Sequence, residues 1–289
     1  MNNRSHRPSR SDHGGNAPRG ASPNSQPRSG KAVEADATPQ EGTRINKALA
    51  DAGVCSRRKA DELIQSGAVL VNGLPVNGPG ARVVAGRDRV TVNGREVAFG
   101  TARDAAYAYI LLHKPVRVVS TVHDPEGRTT ILEVLPPALR TGRLYPVGRL
   151  DYFSEGLLLL TDDGELTHRL THPRWHLDKV YEVRVRGAVS ESQLDAMRRG
   201  MTLQEGEDLA PVDVRRIERD ERTTLLEMTL RQGINRQIRR MCRDLGLTIL
   251  RLVRVRQGNL ELGDLPAGKA RALRPAEVAG LRKAAGLDV

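Results

Sequence analysis

One carboxylate in this chain has neighbours suited to chemistry. In Gly148-Arg149-Leu150-Asp151-Tyr152-Phe153-Ser154-Glu155-Gly156, Asp151 stands two residues after an arginine and shortly before four consecutive leucines at 157–160. An ionised carboxylate held in a cleft serves as a nucleophile or a general base. Two further residues suit such a site. Tyr181 offers a flat ring for stacking a nucleobase, although a strand tyrosine is more often a core residue with its hydroxyl at the edge. Arg239 offers a guanidinium that would keep Asp151 charged. Two other arrangements use the same residues. Asp151 could cap a turn with Arg149 salt-bridged to it, or Asp151 and Glu155 could be an acid–base pair that hydrolyses an N-glycosidic bond.

The elements that must position these groups are readable from pattern. The run 157–160, closed by Asp162-Asp163-Gly164, predicts a strand buried on both faces, which would anchor the loop carrying Asp151. Asp162 and Glu165 have capping-box spacing and predict a helix over 165–171. Lys179-Val180-Tyr181-Glu182-Val183-Arg184-Val185 alternates, so Tyr181 shares a strand face with Val183 and Val185. A helix over 235–245 puts Ile238, Met241, Cys242 and Leu245 on one face and Arg236, Arg240 and Arg243 opposite, as a basic stripe. Arg239 falls at the border of the apolar face, about 100° from Ile238, and so needs a buried partner; Asp151 is the one expected. Strands are also expected over 108–113, 212–216, 223–231 and 248–255, a helix over 190–199, and a turn and short helix over 263–283. Strands outnumber helices without a βαβ cadence, which predicts an α+β fold with a mostly antiparallel mixed sheet and a central cleft.

Upstream, Ile45, Ala48, Leu49 and Ala52 recur at helical spacing, with Thr43 expected as cap and Gly53 as stop. Ser56 opens a second helix with Ala60, Leu63 and Ile64 on one face, and Asn72-Gly73 and Asn93-Gly94 predict hairpin turns. Arg57-Arg58-Lys59 sit at the start of that helix, where cations oppose its dipole. That placement makes sense if a phosphate lies between the free N–H groups and the guanidinium groups.

Lysine and arginine number 46 against 35 acidic residues, a net charge of +11 over 289 residues, which points to a polyanionic partner. No apolar run is long enough for a membrane span, and the N-terminus lacks the apolar core of a signal peptide. Cys55 and Cys242 lie far apart, and His113, His168, His172 and His176 show no metal-ligand spacing, so neither a disulfide framework nor a metal site is expected. Residues 1–42 are too polar to offset their ordering entropy and are expected to form a disordered basic tail.

The motif Gly148-Arg-Leu-Asp-x-x-Ser-Glu-Gly-Leu-Leu-Leu-Leu-Thr161, with Lys179-x-Tyr181 and Asn235-Arg-Gln-x-Arg-Arg-Met241, resembles the signatures of RsuA-type pseudouridine synthases. Residues 44–73, from Arg44-Ile-Asn-Lys47 to Val69-Leu-Val-Asn-Gly73, resemble the S4 RNA-binding module. The resemblance implies an S4-like domain over 43–103 and a catalytic domain over 104–289. It also implies isomerisation of uridine to pseudouridine in ribosomal RNA without cofactor or metal. By position, Asp151 matches the essential aspartate, Tyr181 the base-stacking tyrosine and Arg239 the arginine paired with the aspartate. Arg149 matches an arginine beside the flipped-out nucleotide, and Arg44, Lys47, Arg57, Arg58 and Lys59 match the RNA contacts of the S4 module, to which Arg236 and Arg240 add. The expected substrate is large-subunit (23S) ribosomal RNA or a pre-ribosomal particle, with 16S ribosomal RNA or a non-catalytic assembly role as alternatives. A cytoplasmic monomer is expected, off the membrane. Three departures fall on the RNA-facing rim: Arg117 replaces the usual glycine, Val180 the usual threonine, and Gln232-Gly-Ile-Asn235 lacks the usual glutamate and basic residue.

Overall fold

The computed structural model describes residues 41–76, 78, 80–100, 107–172 and 177–287. The tail up to residue 40, the boundary expected at 103, and Trp175 and His176 lie outside the described residues.

The N-terminal elements are β1 (Thr43–Arg44), α1 (Ile45–Asp51), α2 (Arg57–Gln65), β2 (Val69–Val71), β3 (Leu74–Pro75), β4 (Arg82–Val83), β5 (Val90–Val92) and β6 (Arg95–Val97). An antiparallel sheet in the order β3-β2-β5-β6 closes one small core with α1 and α2, built on Ile45, Leu49, Ala60, Ile64, Val69 and Val90. Both hairpins turn on an Asn-Gly pair with positive φ at each residue (52° and 81° at Asn72-Gly73, 49° and 75° at Asn93-Gly94), the type I′ geometry that matches strand twist. Ser56 caps α2, its hydroxyl accepting from the Lys59 N–H at 3.1 Å. Thr43 does not cap α1. It pairs with Val83 in β1–β4, and the capping position falls to Arg44, which has no acceptor to offer.

The second part runs β7 (Tyr109–Lys114), α3 (Ile131–Val134), a 3-10 turn (Pro137–Leu139), β8 (Tyr145–Pro146), β9 (Glu155–Thr161), α4 (Gly164–Thr171) and β10 (Lys179–Arg186). It continues with α5 (Glu191–Arg199), β11 (Met201–Thr202), β12 (Asp208–Leu209), β13 (Asp213–Arg219), β14 (Thr223–Leu230), α6 (Gln237–Asp244), β15 (Ile249–Gln257), β16 (Leu260–Glu261), β17 (Ala270–Ala272) and α7 (Pro275–Ala284). Seven strands order as β13-β14-β10-β15-β9-β7-β17, with β16 on β15 and β8 on β9. Every pairing is antiparallel except β9 with β15, so the fold is α+β with a mixed sheet.

The four leucines show why β9 lies inside the sheet. All are fully buried; Leu157 and Leu159 enter one core, Leu158 and Leu160 the core on the opposite face. Each contributes about 2 kcal/mol of apolar burial. The parallel seam to β15 is possible because residue 156 is glycine. A Cβ there would meet the Arg254 backbone O at 2.3 Å and N at 2.5 Å, and its φ is +111°. Beyond β9, α4 is capped by Asp163, whose carboxylate accepts from the Leu166 N–H at 3.0 Å, and not by the expected Asp162. Asp162 is committed elsewhere, accepting from the Ala108 N–H at 2.9 Å.

Candidate active site

Asp151 lies on the loop entering β9, and that loop is fastened from several sides. Leu150 exchanges hydrogen bonds with Ser120, its N–H donating to Oγ at 3.1 Å and its carbonyl accepting from that hydroxyl at 2.8 Å. The Arg117 N–H donates to the Tyr152 carbonyl at 2.6 Å, and the Ser154 N–H to the Asp151 carbonyl at 3.0 Å. Beneath the loop the fully buried Lys114 Nζ donates to the carbonyls of Ser154 (2.9 Å) and Pro115 (2.8 Å). Burial pulls this ammonium down to about 8, while Asp151 and Glu155 hold it up.

Two arginines meet the carboxylate. Arg239 Nε lies 3.4 Å from Asp151 Oδ2, and Arg236 Nη1 lies 3.5 Å from the same oxygen. Arg239 also reaches the loop backbone, Nη2 donating to the Phe153 carbonyl at 2.7 Å and to Ser154 Oγ at 3.0 Å. One guanidinium therefore grips both the acid and the loop that carries it. Burial lowers the pKa of Arg239, with Asp151 opposing that shift. The chain supplies this geometry because Ile238, Met241 and Cys242 pin α6 into the core, leaving Arg239 at the edge of the buried face.

Tyr181, half-buried on β10, packs against the cores on both sides, one containing Val183 and Val185 and the other Leu150, Leu158 and Leu160. It lines a cleft of about 300 Å³ together with Arg149, Asp151, Arg236 and Arg239. That is room for a single flat ring with its sugar. Arg149 is exposed at the edge of the cleft, and its guanidinium has no hydrogen bond or ion pair with a described residue. Deeper in the cleft, Arg254, Gln257 and Gln237 are all but inaccessible, yet Arg254 Nη2 and both Gln Oε1 atoms have no hydrogen-bond partner among the described residues.

The expected residues thus divide. Asp151, Tyr181, Arg239 and Arg149 share one cleft. Arg236 was expected on a solvent-facing stripe; instead α6 begins at Gln237, and Arg236 adopts a left-handed conformation (φ 51°) that turns it onto Asp151. Arg240 is not free for RNA either, being bound by Glu207 and, at 3.3 Å, by Glu205. Arg243 is held by Glu205 and Asp244, each at 2.7 Å. Glu155 is ion-paired to Arg251 and is absent from the cleft lining, which removes the two-carboxylate arrangement. On α1 and α2, Arg57 and Arg58 are exposed, whereas Lys47 is paired with Asp51 (2.7 Å) and Lys59 with Glu62 (2.8 Å). Arg44 is exposed beside them. His113 Nδ1 lies 2.6 Å from the Leu265 carbonyl, and its Nε2 has no hydrogen-bond partner among the described residues. His168 and His172 stack loosely along α4, their centroids 5.5 Å apart. Lys114, Arg254 and Gln257 were missed. Lys114 and Gln257 end their strands and Arg254 is one of three arginines in β15, so no local pattern singles them out.

Comparison with known proteins agrees with this geometry. Residues 108–244 match the RNA pseudouridylate synthase family model and residues 43–88 match the S4 domain model. "Ribosomal large subunit pseudouridine synthase B" of Bacillus subtilis (strain 168) is 40% identical over 241 residues, covering 83% of this chain and 95% of that protein. An RNA pseudouridine synthase of Aquifex aeolicus (strain VF5) is 42% identical, covering 84% of this chain and 95% of the relative. A solved pseudouridylate synthase superposes with a TM-score of 0.58 at 28% identity, over 82% of this chain and 99% of the other. With the S4 module, the mixed sheet and the shared motifs in place, this chain belongs to the RNA pseudouridine synthase family, in its S4-bearing, RsuA-type branch.

Proposed function

We propose that this enzyme converts a specific uridine of large-subunit (23S) ribosomal RNA to pseudouridine, with Asp151 as the essential group. The observation that carries the reading is the ion pair between Asp151 and Arg239 in a cleft walled by Tyr181. In the reaction the C1′–N1 bond breaks, uracil turns, a C1′–C5 bond forms and the C5 hydrogen leaves as a proton, while N1 gains one. Atoms and electrons balance within the substrate, so the chemistry asks for no oxidant, donor group or cofactor. Asp151 acts as a carboxylate whether it attacks the ribose, attacks the base or abstracts a proton, and the two arginines hold it in place. Tyr181 stacks the extruded base, compensating part of a flipping cost of a few kcal/mol. Arg149 meets the nucleotide at the cleft edge.

In the same reading, residues 43–103 are the RNA-binding domain, residues 104–289 the catalytic domain and residues 1–42 a basic tail. Arg44, Arg57 and Arg58 make the phosphate contacts of the first. The large-subunit target rests on the names of relatives, from Bacillus subtilis and from Pseudomonas aeruginosa at 38% identity. A cytoplasmic monomer working on free ribosomal RNA or a pre-ribosomal particle goes with it. The test is pseudouridine mapping of ribosomal RNA from cells lacking the protein. One 23S pseudouridine should disappear, return with the wild-type gene and stay absent with Asp151→Asn. An unchanged 23S map, or a lost site in 16S RNA, refutes the assignment.

A further inference from the structure

Phe153 is the most exposed phenylalanine or tyrosine among the described residues, at 60%, and stands two positions after Asp151. A solitary exposed apolar side chain is ordinary; what surrounds this one is not. Its carbonyl is held by the same Arg239 guanidinium that ion-pairs with Asp151, so the ring's position is tied to that of the acid. The Tyr152 ring backs it edge-on, centroids 5.0 Å apart at 79°. Against this pair lies Arg117, whose N–H bonds the Tyr152 carbonyl and whose φ is +63°, a conformation that a glycine adopts freely and an arginine does not. The Arg117 guanidinium is exposed and has no hydrogen bond or ion pair with a described residue. A strained backbone thus joins an exposed cation, with no partner among the described residues, to the loop that carries the exposed ring.

Neither Phe153 nor Arg117 lines the cleft that would take the uridine. They belong to the loop pair next to Asp151 and Ser154, which do line it, so the nucleotide next in the strand is the one within their reach. That nucleotide loses a stacking neighbour when the uridine is extruded. We propose that Phe153, backed by Tyr152, is the stacking platform for the nucleotide adjacent to the target uridine, and that Arg117 clamps its phosphate. The assignment rests on the uridine-isomerase reading above. Exposed aromatics with interleaved cations are how proteins hold unpaired nucleotides without reading their sequence.

The probe is unmodified 23S ribosomal RNA transcribed with [5-³H]uridine, whose tritium is released as the C1′–C5 bond forms. Phe153→Ala should raise KM about tenfold, the scale of one lost base stack, with a clearly smaller fall in kcat. Phe153→Trp should restore KM and, in a Trp175→Phe background, lose emission when the transcript is added. Arg117→Gly should keep or raise Tm while raising KM and lowering the salt slope of binding by about one. The platform is overturned if Phe153→Ala keeps the wild-type KM, if tryptophan fails to rescue it, or if its emission ignores saturating transcript. Should the wild type release no tritium, the isomerase reading fails, and the tryptophan signal still decides whether this rim stacks RNA.

Discussion

An arginine that touches a carboxylate and also that carboxylate's own loop is hard to replace. Lysine at 239 could reach Asp151, but one ammonium cannot also span the Phe153 carbonyl and Ser154 Oγ as the guanidinium does. Arg239→Lys should therefore lower kcat roughly a hundredfold, the usual result of a small misplacement at a reacting centre, with unchanged far-UV circular dichroism. Activity within threefold of wild type would show that charge alone suffices. Lys114 makes a prediction about pH. Burial lowers it from 10.5 to about 8. Between those values the unfolded chain carries a proton that the folded protein has released, so the Lys114 contribution to stability rises with pH across that window. The Tm of wild type minus that of Lys114→Met should climb from pH 8 toward pH 10. A flat or falling difference contradicts a depressed lysine.

At the scale of elements, the seam between β9 and β15 depends on one missing methyl. Gly156→Ala drives Cβ into the Arg254 backbone at a φ of +111°, so the variant should lose more than about 3 kcal/mol, seen as a large drop in Tm. A Tm within a few degrees of wild type would mean that the seam relaxes without harm. Much of this architecture is legible in the sequence. The leucine run, the alternation around Tyr181, the Ser56 cap and both Asn-Gly turns are local patterns, and each element lies where its pattern indicates. The misses have local causes too. Asp162 and Asp163 are equally good caps on paper, and a tertiary hydrogen bond to Ala108 decides between them. The helical wheel for 235–245 assumed helix from its first residue, whereas the left-handed turn at Arg236 reverses where that side chain points. The partners of Arg240, Glu205 and Glu207, come from the turn between β11 and β12, more than thirty residues earlier in the chain. The strand β17 was hidden in a segment with only three residues to pair.

Across the whole molecule, the charge excess of +11 gives RNA affinity, and the folded surface decides which cations supply it. Lys47 and Lys59 carry their own carboxylate partners, while Arg57 and Arg58, exposed at the start of α2, have no ion pair with a described residue. The double variant Arg57→Ala, Arg58→Ala should lower the slope of log K against log salt by roughly one to two, and Lys47→Ala should change it little. Equal effects would mean that net charge, not placement, governs binding. The small N-terminal core also touches the larger part directly, Arg143 Nη1 donating to the Cys55 carbonyl at 2.6 Å. Every role proposed for the cleft depends on Asp151 performing the isomerisation. The most direct test pairs tritium release from [5-³H]uridine-labelled 23S transcript with filter binding of the same transcript. Asp151→Asn should bind as tightly as the wild type and release no tritium. Release at a rate near that of the wild type would contradict the account.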